Sequence, residues 1–195
     1  NQIRNCSTIG GNIVNGQPAA DSAVALAALG ASVEVMYEDG AELLSMDRLY
    51  AGFGKSTVDS TKSLVTRILI PAAGPGEGSG YARLEQRKAL ALPMVCVAAF
   101  LGIREGMVER CRIAMAPVGV GPVRAIEAER FLIGKAAEKE VFSEAGRLAL
   151  KNANPRDSLI RGSKRYREEV LPVMVERALS EALSDAEGRE KEVEQ

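Results

Sequence analysis

Residues 3–21 read IRNCSTIGGNIVNGQPAAD. This stretch sets an adjacent glycine pair, Gly10 and Gly11, between two polar residues, Thr8 and Asn12. Two glycines in a turn let backbone N–H groups approach a ligand without an intervening side chain, and such groups can hold a pyrophosphate. Because a glycine pair is a weak signal, the pattern predicts either a phosphate-binding turn or a plain tight turn.

The residues that follow predict a short helix. Pro18 favours its start, the apolar run 23–29 forms its body, and Gly30 ends it. Asp21 or Ser22 can cap its N-terminus. For Asp21 the alternative is a carboxylate that lies near a ligand hydroxyl.

Strand patterns surround a glycine-rich stretch in the middle of the chain. Residues 31–37 alternate and, with residues 41–46, predict a β-hairpin. Residues 63–71 predict a β-branched strand that a proline ends. Residues 72–80 have the composition of a flexible loop, and we expect the domain boundary there.

The second half predicts a sheet followed by helices, which makes the fold class α+β. Three antiparallel strands are expected at 81–87, 93–103 and 108–117, and helices at 125–132, at 139–151 and from near Ser163 onward. Pro172 is predicted to kink or restart the last helix. Residues 185–195 are charged and predict a frayed tail.

Two further stretches carry charges that suit an anionic ligand. Tyr81, Arg83 and Arg87 share one face of the predicted strand, which suits an anionic planar ligand or is a solvated edge. The segment 156–167 holds several arginines. It predicts either a phosphate site or a surface that docks a partner.

The composition excludes several classes of chemistry. The 195 residues include no His, so histidine triads, histidine metal sites and histidine proton shuttles are excluded. The net charge of -1 gives no basic excess for nucleic-acid binding. Three widely spaced cysteines indicate a reducing, cytoplasmic setting and are too few for the usual iron–sulfur cluster. No apolar run reaches membrane-spanning length.

The sequence resembles the FAD-binding middle subunit of the molybdenum hydroxylases. The resemblance rests on residues 3–21, Pro71, the Tyr81-x-Arg83 strand and the late segment 157–167. This family includes the flavin subunits of xanthine dehydrogenase and aerobic carbon monoxide dehydrogenase. The resemblance covers residues 1 to about 183. It implies a second FAD-binding subdomain, an antiparallel sheet with helices, over residues 1–75. A C-terminal domain of a three-stranded antiparallel sheet packed on a helical bundle would follow over 76–184, with a flexible tail at 185–195 and without the family's first FAD subdomain.

The resemblance also implies cofactor-binding residues. The loop that contacts the FAD phosphates is matched by Thr8, Gly10, Gly11 and Asn12, and a neighbouring polar position is matched by Asn15. Asp21 matches the acidic residue near the cofactor. Val65 matches a position whose backbone borders the flavin ring, Tyr81 matches an aromatic near that ring, and Arg83 matches a position that is often Lys. Two departures from the family pattern are Gln17, where a small residue is usual, and Ala91, where many relatives have Asp. The second weakens inference about the acceptor side of the flavin.

The implied function is that of a flavin-carrying subunit in a molybdenum-containing dehydrogenase. FAD would pass electrons from iron–sulfur clusters to NAD or another acceptor, and the protein would position and tune the flavin. The molybdenum cofactor and 2Fe-2S clusters are expected on two partners, a molybdenum-binding and an iron–sulfur subunit. We expect this chain alone to bind FAD weakly and to be inactive. The alternatives are a scaffold protein of the same fold that has lost FAD, and an unrelated α+β binding domain.

Overall fold

The computed structural model describes residues 5–87, 91–159 and 161–193. The helices are α1 (Ile9–Val14), α2 (Asp21–Leu29), α3 (Ile126–Leu132), α4 (Lys139–Ala149) and α5 (Lys164–Val193). The strands are β1 (Ser32–Tyr37), β2 (Gly40–Ser45), β3 (Tyr50–Gly52), β4 (Lys55–Ser56), β5 (Leu64–Leu69), β6 (Glu77–Leu84), β7 (Val95–Arg104), β8 (Met107–Ala116) and β9 (Val123–Arg124). The predicted α+β class is confirmed.

The first sheet has three antiparallel strands in the order β2-β1-β5. The predicted hairpin is β1 and β2, and the predicted β-branched strand is β5. Val33 and Val35 are fully buried and pack with Ile13 of α1 and Leu26 of α2. Alternate side chains of a strand point to opposite faces, so this sheet buries one face under the two helices.

Helix α2 lies between the two sheets. Ala23 and Leu26 pack against the first sheet, whereas Val24 and Ala28 pack against small residues of β7 and β8. An alanine-rich helix suits this position because both of its sides must approach a sheet closely. Its C-terminus is Gly30 in the left-handed region, at φ 68°, as the sequence predicts.

The second sheet has four strands, in the order β6-β7-β8-β9, rather than the three expected. The additional strand β9 is two residues long and pairs Arg124 with Ala114 and Val123 with Met115. A two-residue strand has no detectable period, so only the pairing reveals it. Helices α3, α4 and α5 cover one face of this sheet and form the larger core with it.

Gly78 and Gly80 lie in strand β6, so the predicted loop ends before residue 77. A Cβ on Gly80 would lie 2.1 Å from the carbonyl oxygen of Ala178, and one on Gly78 would lie 2.2 Å from that of Ala182. These glycines therefore serve close packing of β6 on α5 rather than chain flexibility.

Helix α5 is continuous from Lys164 to Val193 with Pro172 inside it, so the proline does not restart the helix. The expectation of a frayed tail from residue 185 is also wrong for the described part of that segment. Ala186 is buried, and the carboxylate of Asp185 accepts a hydrogen bond from the backbone N–H of Ser79 at 2.9 Å. Residues 194 and 195 of the predicted tail lie outside the described residues. Within the described chain, every helix is too short or too polar to span a bilayer.

Candidate cofactor site

The segment 8–12 forms the start of helix α1 rather than a tight turn. Thr8 is the N-cap, and its hydroxyl accepts a hydrogen bond from the backbone N–H of Gly11 at 2.9 Å. A Cβ on Gly11 would lie only 3.0 Å from that hydroxyl oxygen. The missing side chain at position 11 therefore avoids a tight contact with the Thr8 hydroxyl.

Gly10 faces strand β5. A Cβ on Gly10 would lie 3.7 Å from Cγ1 of Val65, an ordinary van der Waals contact. Val65 is half-buried and pairs with Val35 in the sheet. The structure thus brings two separately predicted cofactor residues, Gly10 and Val65, to one place beside the start of α1.

A side-chain contact joins α1 to α2. The hydroxyl of Ser22 donates to the amide oxygen of Asn12. Because its oxygen is engaged in this way, the nitrogen end of the Asn12 amide is the end that can donate to a ligand. Ser22 is missed by sequence reasoning except as an alternative helix cap, and its position next to Asp21 was the only available signal.

Asp21 joins the two halves of the molecule and does not cap α2. The N-cap of α2 is Ala20, which makes no capping bond through its side chain. The carboxylate of Asp21 instead accepts a hydrogen bond from the phenol of Tyr81 at 3.2 Å and lies 3.5 Å from the guanidinium of Arg83. Tyr81 and Arg83 stand on β6, so one acidic side chain connects α2 to the second sheet.

Arg83 is held on several sides. Its Nε lies 3.0 Å from the carboxylate of Glu85, and its NH2 donates to the backbone carbonyl of Ala91. Ala91 stands where many relatives are expected to have Asp, and here it supplies a backbone acceptor to Arg83. The guanidinium is therefore positioned before any ligand binds.

Tyr81 and the neighbouring thiol of Cys96 are both protonated at physiological pH. Burial, with the neighbouring Cys96 and Asp21, raises the pKa of Tyr81 far above its ordinary value. Burial likewise raises the pKa of the Cys96 thiol to about 12. Neither group exchanges a proton near neutral pH, so neither is suited to general acid–base catalysis there.

The predicted residues thus form two neighbouring groups. The first group lies around the start of α1 and consists of Thr8, Gly10, Gly11, Asn12 and Val65. The second group lies at the junction with β6 and consists of Asp21, Tyr81 and Arg83. Ser22 lies between the two groups. Asn15 lies at the opposite end of α1, where its backbone N–H donates to Gly11 and its side chain is exposed. Among the described residues, no group of three His, Cys, Asp or Glu side chains could hold a metal ion.

Two family models match this chain. The FAD binding domain in molybdopterin dehydrogenase matches residues 1–73, and the CO dehydrogenase flavoprotein C-terminal domain matches residues 81–182. The chain therefore belongs to the flavoprotein family of the molybdenum hydroxylases, and the suspected resemblance is confirmed.

Individual relatives agree with this assignment. The chain is 27% identical to the xanthine dehydrogenase FAD-binding subunit of Escherichia coli O157:H7 over 96% of its length, and 31% identical to the carbon monoxide dehydrogenase medium chain of Afipia carboxidovorans over 95%. The solved carbon monoxide dehydrogenase of Hydrogenophaga pseudoflava that lacks the Mo-pyranopterin moiety superposes with a TM-score of 0.88 at 30% identity over 94% of the chain. The chain spans less than two thirds of these proteins, namely 64%, 63% and 63% of their lengths.

The donor set suits the FAD that this family binds. A phosphate needs N–H and O–H donors with little steric obstruction, and the start of α1 offers backbone N–H groups, the Asn12 amide and two glycines. At the second group, the guanidinium of Arg83 and the half-buried phenol of Tyr81 both contact Asp21. The residues present therefore fit a cofactor with an anionic end and a planar end.

Proposed function

We propose that this chain is the flavin-carrying part of a molybdenum-containing dehydrogenase. FAD supplies the redox chemistry when bound, passing electrons from iron–sulfur clusters to NAD or another acceptor. The observation that carries the proposal is the convergence of Asp21, Tyr81 and Arg83 beside the glycine-containing start of α1. The proposed partners are an iron–sulfur subunit and a molybdenum-binding subunit in the cytoplasm. The proposed domains are residues 1–75 and 76–184.

The start of α1 has the task of holding the FAD phosphates. Gly10 leaves the helix surface free of side chains, and Gly11 keeps the Thr8 cap in place. Ser22 holds the Asn12 side chain by its amide oxygen, and the amide nitrogen is the donor that this side chain presents to a ligand. These groups are fixed within the protein, so little ordering is required when a phosphate binds.

The junction with β6 has the task of positioning the flavin end. Tyr81 offers a phenol that stays protonated, and the backbone of Val65, at the neighbouring start of α1, is proposed to border the flavin ring. Arg83 brings a positive charge that Asp21 and Glu85 hold in place. A fixed charge beside a redox cofactor changes the relative stability of its oxidised and reduced forms, so Arg83 is the residue proposed to tune the flavin.

The test is the visible absorption spectrum of the full-length natural protein, purified through a tag on this chain. Flavin bands, with iron–sulfur absorbance from co-purifying partners, are expected. A protein that is colourless and remains so with added FAD would instead favour the scaffold alternative.

A substitution connects the flavin to this site. We expect Gly10→Val, made in the full-length protein, to lose flavin, because the valine adds bulk beside the backbone that the FAD phosphates are proposed to approach. A Cβ at this position would lie 3.7 Å from Cγ1 of Val65, an ordinary contact that the fold tolerates. The control is Gly188→Val in α5, where a Cβ would meet nothing within 4 Å. The flavin-to-protein ratio should fall in the first variant only. Equal ratios in both variants would contradict the assignment of the phosphate site.

A further inference from the structure

A second cleft, of about 440 Å³, lies between the two halves of the molecule and shares no lining residue with the cofactor site. We call it the arginine cleft, because Arg156, Arg161 and Arg167 line it together with Phe53 and Pro117. Its volume is within the range of small-molecule sites. The segment that supplies the arginines is the one whose charge pattern the cofactor site does not use.

Arg167 forms the floor of the arginine cleft. It is buried, at 4% exposure, and its guanidinium donates to the backbone carbonyls of Met94 at 3.1 Å, of Arg156 at 2.8 Å and of Pro117. Carbonyl oxygens satisfy its hydrogen bonds but do not cancel its charge. Burial and the nearby Arg161 and Arg156 lower its pKa, which reflects the concentration of positive charge in this cleft.

Arg161 has an unused donor. Its Nε is buried and has no acceptor among the residues that the structure describes. A buried guanidinium donor without a partner is costly, so native structures normally provide an acceptor for it. The Nε is enclosed by the protein, so an anion in the cleft would meet the rest of the Arg161 guanidinium, which lines the cleft.

Arg156 and Asp157 complete the charge distribution. The guanidinium of Arg156 stacks on the ring of Phe53 at 3.9 Å, which fixes its plane while leaving its edge available. Asp157 is the carboxylate among the described lining residues, and it already accepts a hydrogen bond from the backbone N–H of Lys164 at 2.7 Å. Three guanidinium groups thus face one engaged carboxylate.

We propose that the arginine cleft binds a small oxyanion, either inorganic phosphate or the phosphoryl group of a small metabolite. Guanidinium groups suit this ligand because their planar donors match the oxygen pairs of a phosphate. The positive charge gives the cleft its affinity, and the guanidinium of Arg161, which lines the cleft, adds directed donors. This site is independent of the flavin proposal, since none of its residues belongs to the start of α1.

Calorimetric titration of the chain with inorganic phosphate at constant ionic strength tests the proposal. Saturable binding is expected below about 10 mM. Arg161→Gln should weaken it by at least about tenfold, because a charge-assisted hydrogen bond is lost. The control is Arg165→Gln, which removes the same charge from an exposed side chain paired with Glu169 at 2.8 Å. Equal affinities in the two variants, or no saturable binding to the parent chain, would overturn the proposal.

Chemical protection tests the same point without a substitution. Phenylglyoxal modification, mapped by mass spectrometry, should be reduced at Arg156 and Arg161 by phosphate and unchanged at Arg165. The concentration of AMP that protects Arg156 and Arg161, compared with that of phosphate, then distinguishes the two sources of the anion, because this readout does not register AMP bound at the start of α1. Tighter binding of AMP than of phosphate indicates a nucleotide-type metabolite, and equal binding indicates the free anion. Protection of these arginines by an acidic peptide but not by phosphate would overturn the proposal in favour of a protein-docking surface.

Discussion

The two sheets of this protein are packed in different ways. The second sheet is covered on both faces, by α3, α4 and α5 on one side and by α2 on the other. Among the described residues, helices cover only one face of the first sheet. Its other face presents large apolar side chains to solvent, at Met36, Leu43, Leu64 and Leu69.

The two regions therefore contribute differently to the candidate cofactor site. The second sheet is a rigid support in which even glycine positions are in contact with a helix backbone. It holds Tyr81 and Arg83 in place, while the first half supplies the start of α1 and Asp21. The candidate cofactor site thus lies where a rigid support meets a more open layer, which is where binding residues are commonly located.

The largest expected effect tests the close packing of the second sheet. Gly80→Ala should lower the free energy of unfolding by about 3 kcal/mol or more, because its Cβ would lie 2.1 Å from the Ala178 carbonyl oxygen. Urea unfolding measures the loss. The control Gly188→Ala, at an open helix position, should be neutral or stabilising by up to about 1 kcal/mol. A similar, small effect for both variants would mean that β6 and α5 are less tightly packed than described.

A pH effect is expected at the face of the second sheet that contacts α2. Burial raises the pKa of Cys96 from 9.0 to about 12. Between these values the unfolded chain loses the thiol proton while the folded chain keeps it. The stabilising contribution is therefore complete below pH 9 and is lost as the pH rises toward 12, at up to about 1.4 kcal/mol per pH unit.

Urea unfolding at a series of alkaline pH values measures this effect. Cys96→Ala should make the decline of the unfolding free energy with pH less steep. Cys6→Ala, at an exposed cysteine, serves as the control and should leave the slope unchanged. If the unfolding free energy of Cys96→Ala declines with pH as steeply as that of the parent chain, water reaches the contact between α2 and β7.

A smaller effect is expected for the hydrogen bond that connects the two regions. Tyr81→Phe removes the phenol that donates to Asp21 at 3.2 Å and should cost about 1 kcal/mol of unfolding free energy. Tyr166→Phe, at an exposed tyrosine of α5, provides the comparison. No difference between the two variants would show that Asp21 is held by Arg83 alone.

The smallest effect is expected on the open face of the first sheet. Leu64 is 67% exposed, so Leu64→Thr should change the unfolding free energy by less than about 0.5 kcal/mol. Val33→Thr, on the buried face of the same sheet, should cost about 1–3 kcal/mol, because a hydroxyl enters the core. Equal losses at the two positions would contradict the description of one open and one covered face.

Much of the cofactor site could be predicted from the sequence because its residues carry recognisable local patterns. The glycine pair, Asp21 and the Tyr81-x-Arg83 strand are readable as motifs, and the family they resemble is confirmed. Ser22 could not be assigned its contact with Asn12, since a serine before a helix is typical of a cap. The cofactor roles of the individual residues remain predictions for the flavin experiment.

In the fold as well, the features that depend on neighbouring residues were predictable, and the features that depend on distant contacts were not. The β1–β2 hairpin, the end of α2 at Gly30 and the cap of α5 at Ser163 depend on neighbouring residues and were predictable. The predicted flexible loop includes the glycines of β6, because composition alone does not distinguish a flexible glycine from one that packs closely on a helix. The extension of α5 was missed because its anchors, Asp185 with Ser79 and the buried Ala186, appear only after β6 and α5 are packed together.

By itself, the sequence determined the fold class, the family and the exclusion of histidine chemistry. It did so because strand alternation, helix termini, turn residues and family motifs are properties of short segments. The tertiary structure alone decided which partners the charged residues have: Asp21 with Tyr81 and Arg83, and Arg156 with Phe53 in the arginine cleft. These pairs join segments that are distant in the chain, and their contacts depend on how helices and sheets pack together, which no local pattern records.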